Sequence, residues 1–132
     1  MRVLVDTSVW SLSFRKGGPA NHTVVRKLAA LVTANENVVL TGLILQELLQ
    51  AFRSEAAFHK AVDRLEPFPL LELGRADYVT AARLHRRCAS KGLAVTTADC
   101  QIAAAAIRHD CFLLTADKDF ERIAGVANLK LA

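Results

Sequence analysis

Near its amino terminus the sequence reads Arg2-Val3-Leu4-Val5-Asp6-Thr7-Ser8. The first four residues are mostly apolar and β-branched, which is typical of a strand buried on both faces. Asp6 ends that strand, and Asp6, Thr7 and Ser8 are candidate caps for a helix that runs on through Leu12. The stretch therefore predicts a parallel strand that carries an acidic side chain to the edge of a sheet.

Strands and helices alternate along the rest of the chain. Further strands are predicted at 38–40, 68–73 (a poor edge strand), 111–114 and 129–131. Helices are predicted at 21–34, after Thr41, after Ser54, at 75–91, at 98–109 with Thr97 as its cap, and at 118–123. This alternation predicts an α/β fold, an α/β/α sandwich with a mainly parallel central sheet.

Length and composition set the broad class. The chain has 132 residues, of which 52% are hydrophobic and 23% charged. That balance excludes intrinsic disorder and predicts one domain over residues 1–132. Lysines and arginines number 17 against 13 acidic residues, a net charge of +4 that permits a polyanionic partner.

Cysteine usage and hydropathy indicate where the protein works. The three cysteines, Cys88, Cys100 and Cys111, have no paired spacing, so we expect reduced, buried thiols rather than disulfides. No apolar run approaches the roughly 18 residues of a membrane-spanning helix, and the first residues do not resemble a signal peptide. We therefore expect a cytoplasmic protein with no membrane association.

Four acidic residues follow or flank the predicted strands. Asp6 ends the first strand, and Asp117 follows the strand at 111–114. Asp99 lies in the first turn of a predicted helix, and Glu47 lies in another. Because ligands of such sheets bind beyond the carboxyl ends of the strands, we expect these four carboxylates to converge at one edge.

Crowded carboxylates repel one another and coexist most easily around a hard cation. Mg²⁺ and Mn²⁺ prefer oxygen ligands, and one or two such ions can activate water for phosphodiester hydrolysis. The pattern thus favours a metal-dependent nuclease. Arg15 and Lys16 are candidate contacts for its substrate.

Plainer roles fit some of the same residues. Asp99 and Asp117 each have the position of a helix cap. Asp119 is either an outer ligand of the metal or an acid favoured by the dipole at the start of a helix. If all the acids were caps, the chain would be a non-catalytic module that binds RNA or protein and ignores divalent ions.

Taken together, the motifs resemble the PIN-domain family, and the resemblance covers nearly the whole chain. Its strand with a catalytic Asp resembles residues 3–8, and its second acidic helix is similar to residues 41–50 with Glu47. Its third and fourth acidic segments resemble residues 97–106 with Asp99 and residues 113–120 with Asp117. These last two are the most specific matches.

Within that family the chain looks most like VapC, the toxin of VapBC toxin–antitoxin pairs. The resemblance implies an Mg²⁺- or Mn²⁺-dependent endoribonuclease that is dimeric and held inactive by a cognate antitoxin. It also implies that Asp6, Glu47, Asp99 and Asp117 bind the metal, with Thr115 and Ser8 in support. A PIN nuclease that processes RNA or acts on DNA is the nearest alternative. A phosphatase similar to haloacid dehalogenases fits less well, because its pattern has a second Asp where this chain has Ser8. A receiver domain fits less well too, because this chain lacks its paired acids before the phosphorylated Asp and its Lys on a late strand.

Overall fold

The computed structural model describes residues 1–15 and 22–132. Its strands are β1 (Arg2–Val5), β2 (Asn37–Thr41), β3 (Leu70–Leu71) and β4 (Phe112–Leu114). They form one parallel sheet in the order β3-β2-β1-β4. The helices are α1 (Thr7–Phe14), α2 (Thr23–Thr33), α3 (Gly42–Leu49), α4 (Glu55–Leu65), α5 (Arg75–Ser90), α6 (Thr97–Arg108) and α7 (Asp119–Ala124). This architecture confirms the predicted α/β class with a parallel central sheet.

The first strand occupies the centre of the sheet. Leu4 of β1 pairs with Val39 of β2 on one side and with Leu113 of β4 on the other. Its neighbours Val3 and Val5, like Leu4 itself, expose none of their surface. A strand that is hydrogen-bonded on both edges and covered on both faces needs this continuous apolar sequence. β1 therefore fixes the position of whatever follows its carboxyl end.

Helix α6 is enclosed on almost every side. The consecutive residues Ala103, Ala104, Ala105 and Ala106 are all fully buried, so faces all round the helix meet other parts of the protein. Alanine allows such close approach because it has the smallest side chain that still favours a helix. The small side chains thus let α6 pack closely on α5, α7 and β4.

Some predicted boundaries were wrong. The cap of α6 is Thr96 rather than Thr97, because it is the Thr96 hydroxyl that accepts from the Asp99 amide. The strand predicted at 129–131 reduces to a single bridge between Leu131 and Leu113. The piece at 68–73 is an edge strand as predicted, but only its residues Leu70 and Leu71 form β3. Helix α2 begins at Thr23, and the predicted start at Asn21 lies outside the described residues.

The structure also bears on the predictions about the cysteines and about membrane-spanning helices. Cys88, Cys100 and Cys111 are free and buried. Burial raises the pKa of the Cys100 thiol to about 11, so it stays protonated near neutral pH. Among the helices of the described residues, none is both long and apolar enough to cross a bilayer. The cytoplasmic location stays a prediction.

A buried carboxylate joins α5 to α6. Asp77, only 7% exposed, accepts from the Gly74 amide at 2.8 Å, from Arg108 Nε at 2.9 Å and lies 3.0 Å from His109 Nε2. Burial by itself raises the pKa of Asp77, but these hydrogen bonds and the nearby His109 outweigh it and leave the pKa lowered. Since Asp77 starts α5 and its partners end α6, the two helices run antiparallel.

We predict that Asp77→Asn lowers the free energy of unfolding by about 1–3 kcal/mol near neutral pH, because the donors that meet this buried side chain lose their charged acceptor. A lowered pKa stabilises the fold above the ordinary Asp value of 3.8, and this contribution is lost as the pH falls through the lowered pKa. The deficit should therefore shrink below that ordinary value. Urea unfolding at several pH values measures it.

The matched control is Asp63→Asn, which removes an exposed carboxylate from α4. Such a surface change should shift stability by no more than about 0.5 kcal/mol. Equal free energies of unfolding for the Asp77 variant and the wild type would show that this network contributes nothing.

Candidate metal centre

Asp6 lies where β1 ends and α1 begins. Its amide donates to the Leu114 carbonyl at 2.9 Å, which continues the pairing of β1 with β4 by one residue. Asp6 occupies the N-cap position of α1, yet its side chain caps no amide there. Its Oδ2 instead accepts from Ser8 Oγ at 2.8 Å and from Thr115 Oγ1 at 2.9 Å. A carboxylate that is 5% exposed is thus oriented by two hydroxyls.

The same hydroxyls shape the loop that follows β4. Ser8 Oγ accepts from the Ala116 amide at 3.0 Å, and Thr115 Oγ1 accepts from the Asp117 amide at 3.0 Å. Each hydroxyl therefore donates to Asp6 and accepts from the loop. This arrangement couples the position of Asp117 to that of Asp6 and gives Ser8 and Thr115 supporting positions around the acids.

Three further carboxylates meet beside this loop. Asp99, Asp117 and Asp119 each offer an oxygen, and these oxygens lie within 4.8 Å of one another. Asp117 Oδ1 also accepts from the Asp119 amide, the first of α7, at 2.9 Å, although the N-cap position itself is Lys118. Asp119 begins α7 and lies 3.4 Å from Arg122 Nη2. The sequence left Asp119 open between two roles, and the geometry supports both.

Asp99 reaches the cluster from the first turn of α6. The Thr96 hydroxyl accepts from the Asp99 amide at 3.0 Å, so Thr96 caps the helix and the Asp99 carboxylate is left to face its neighbours. Burial raises the pKa of Asp99, and the charges of Asp117, Asp6 and Asp119 raise it further. Asp6 thus belongs to the same electrostatic group. Thr96 was missed because two threonines adjoin here and either could cap.

Glu47 stands slightly apart. Thr41 caps α3, with its hydroxyl accepting from the Ile44 amide at 3.2 Å, and Glu47 follows about one turn later. The Glu47 carboxylate accepts from Thr7 Oγ1 at 3.1 Å, which links it to the residue beside Asp6. Thr7 was considered only as a helix cap. No sequence signal distinguishes that role from the contact with Glu47.

The part of the chain that the structure describes does not connect the two candidate substrate contacts, Arg15 and Lys16, with the acidic residues. Arg15 is exposed at the end of α1 and forms no hydrogen bond or ion pair with the acidic residues among those described. Lys16 lies outside the described residues. Both assignments stay predictions.

The donor set of this cluster fits a hard divalent cation. All of its ligand atoms are carboxylate oxygens. Mg²⁺ and Mn²⁺ prefer such ligands, whereas softer metals prefer sulfur or nitrogen. Burial and the neighbouring charges both raise the pKa of Asp99, and a cation between the carboxylates would remove the repulsion among them. The geometry therefore provides both the ligands and an electrostatic reason to bind a cation.

The chain is similar to several known proteins. Residues 3–126 match the model of a family described as "PIN domain". "VapC ribonuclease Mb1587" of Mycobacterium bovis and "Ribonuclease VapC11" of Mycobacterium tuberculosis are each 33% identical over 133 residues, covering 98% of this chain and 97% of the relative. The solved structure of VapBC2 from Rickettsia felis, bound to a DNA fragment from its promoter, has a TM-score of 0.80 at 20% identity, covering 100% of this chain and 98% of that one.

We predict that Asp99→Asn raises the melting temperature of the metal-free protein near neutral pH. Since the pKa of Asp99 is raised, its ionised form destabilises the fold, and stability falls as the pH rises from the ordinary 3.8 through the raised value. An amide removes this penalty. Thermal unfolding in EDTA, with Asp63→Asn as the surface control, measures the difference, and a lower melting temperature for the Asp99 variant would contradict the prediction.

Proposed function

This chain belongs to the PIN domain family, and we propose on that premise that it is a metal-dependent endoribonuclease, the toxin of a toxin–antitoxin pair. One observation carries the proposal. Carboxylates from β1, α6 and the segment after β4 converge at the carboxyl edge of a parallel sheet, where ligands of such sheets bind. We take residues 1–132 as a single nuclease domain.

We assign the metal to Asp6, Asp99 and Asp117, with Glu47 binding directly or through water. Asp119 supports this group, and Ser8 and Thr115 orient Asp6. Members of this family generally depend on divalent metals, and we propose Mg²⁺ or Mn²⁺ here. When bound, the cation lowers the pKa of water and stabilises negative charge on the phosphate.

The side chains determine the direction of attack. The carboxylates orient a water molecule toward phosphorus and accept its proton, while the bond from phosphorus to the 3′-oxygen breaks. The products are a 5′-phosphate and a 3′-hydroxyl. Because the hydroxyls of Ser8 and Thr115 fix Oδ2 of Asp6, its Oδ1, which receives no hydrogen bond within the described residues, is left available as a ligand. The net charge of +4 supports an RNA substrate whose backbone contacts the surface around the acids.

We propose a cognate VapB-like antitoxin as the protein partner and a homodimer as the assembly. The support for the antitoxin is that the solved structures similar to this chain include VapBC complexes, which pair toxin and antitoxin. The likeness to two mycobacterial proteins named as VapC ribonucleases supports the same role.

Purified, antitoxin-free protein should cut single-stranded RNA in Mg²⁺ or Mn²⁺ and not in EDTA. We expect Asp99→Asn and Asp6→Asn each to reduce the cleavage rate about a hundredfold or more, because each removes a ligand that holds charge at the reacting phosphate. Gel analysis of total RNA, followed by mapping of the cut ends, measures rate and products. Asp63→Asn should cleave like the wild type.

Two results would overturn this function. If the wild type cuts no RNA with either metal, the binding-module alternative replaces it. If wild type and Asp99→Asn cut equally, the carboxylates are not the catalytic group.

We also predict a positioning role for Ser8. Ser8→Ala removes the donor at 2.8 Å from Asp6 and the acceptor of the Ala116 amide, so Asp6 loses part of its orientation. Cleavage should slow by about 10- to 100-fold, and half-maximal activity should need more metal, as for other residues that orient a metal ligand. Ser11→Ala, at an exposed position of α1, is the matched control. An unchanged metal requirement in Ser8→Ala would exclude the positioning role.

A further inference from the structure

Helix α5 carries cations that the proposed mechanism does not use. Residues 78–98 contain no acidic residue, yet they include Arg83, Arg86, Arg87 and Lys91, all exposed. In the part of the chain that the structure describes, none of these four forms an ion pair. Unpaired cations on one surface favour binding of a polyanion, because they neutralise its phosphates and release the counterions that were condensed on them.

This cationic end of α5 lies near the acidic cluster. The contacts of Asp77 with Arg108 and His109 show that α5 and α6 run antiparallel, so the end of α5 adjoins the first turn of α6. Cys88 on α5 is close enough to Cys100 on α6 to influence its pKa. Since Cys100 follows Asp99 directly, the basic half of α5 flanks the element that supplies a catalytic carboxylate.

A groove of about 460 Å³ runs between these two helices. On the α5 side it is lined by Tyr78, His85 and Arg86, and on the α6 side by Thr97 and Gln101. Thr97 and Gln101 share one face of α6, and Asp99, two residues from each, projects from the opposite face. An RNA strand would therefore pass the amino end of α6 between the groove and the acids. Tyr78 is 50% exposed, unusually open for a large aromatic side chain. Tyr78 and Arg86 are separated by about 12 Å along the helix, which leaves room for more than one nucleotide.

An exposed aromatic ring and an unpaired guanidinium in one groove, with further cations along the same helix, are a combination by which proteins hold single-stranded nucleic acid. The ring stacks on a base, and the guanidinium binds a backbone phosphate. We propose that the α5–α6 groove binds the single-stranded RNA that flanks the cleavage point, with Tyr78 stacking on a base and Arg86 contacting a phosphate. This inference rests on the proposed ribonuclease function and adds a path for its substrate.

The test separates binding from cleavage. Binding of a short, labelled single-stranded RNA of mixed sequence is measured by fluorescence anisotropy in EDTA, and cleavage of the same RNA is measured in Mg²⁺. Tyr78→Ala and Arg86→Ala should each weaken binding about tenfold, whereas Tyr78→Phe, which keeps the ring, should bind like the wild type. Arg86→Ala should also reduce the salt slope of the binding constant by about 0.7, and Tyr78→Ala should not.

Lys60→Ala is the charge control, because it removes one exposed cation from α4, away from the groove. It should leave RNA binding and its salt slope unchanged. Both groove positions are exposed, so the variants should fold, and a melting curve checks this.

The outcomes distinguish this inference from the function it rests on. Wild-type cleavage together with unchanged RNA binding in Tyr78→Ala and Arg86→Ala would overturn the groove and leave the ribonuclease intact. RNA binding that depends on both residues without any cleavage would support the groove and refute the nuclease. Equal losses in Lys60→Ala would show a non-specific charge effect and overturn the inference. If the groove variants became monomers while their RNA binding stayed unchanged, the inference would also be overturned. The groove would then be a contact between two copies of the chain.

Discussion

In the parallel pairing of β1 with β4, the Asp6 amide, one residue beyond β1, donates to the carbonyl of Leu114, the last residue of β4, at 2.9 Å. That bond sets the end of β1 level with the loop after β4, and Thr115 then comes within hydrogen-bonding distance of Asp6. The Ser8 hydroxyl joins the same junction from α1. The positions of Asp6 and of the loop that carries Asp117 therefore depend on the register of two short strands, which the burial of Leu4 and Leu113 makes hard to shift.

Asp77 and Asp99 show that the partners of a carboxylate decide whether its pKa is lowered or raised. Asp77 is buried, but an amide, a guanidinium and an imidazole meet its oxygens and lower its pKa. Asp99 is less buried, but its neighbours are other carboxylates, and its pKa is raised. A carboxylate satisfied by donors is already at its energy minimum, whereas one surrounded by like charges gains free energy from a bound cation. The difference lies in the partners rather than in the residue type.

Much of the frame could be predicted from local pattern. The strand before Asp6 and the helices that begin after Thr41 and Ser54 are confirmed, because apolar runs and hydroxyl caps act within a few residues. What failed depended on choices between near-equal neighbours or on distant contacts. Thr96 and Thr97 offer the same hydroxyl one residue apart, so sequence could not choose the cap. The pairing of Leu131 and the contact from Thr7 to Glu47 join residues far apart in sequence, and only the assembled sheet brings them together.

Helix α6 has unequal ends. Its carboxyl end is tied to α5 through Arg108 and His109, and its middle is enclosed at Ala104, whereas its first turn carries Asp99 into repulsion with other carboxylates. Of the two ends, the first turn is therefore the one where local opening would relieve repulsion between carboxylates. A cation bound among these carboxylates, as proposed, would remove that repulsion, so metal binding would stabilise one end of the helix and leave the other unchanged.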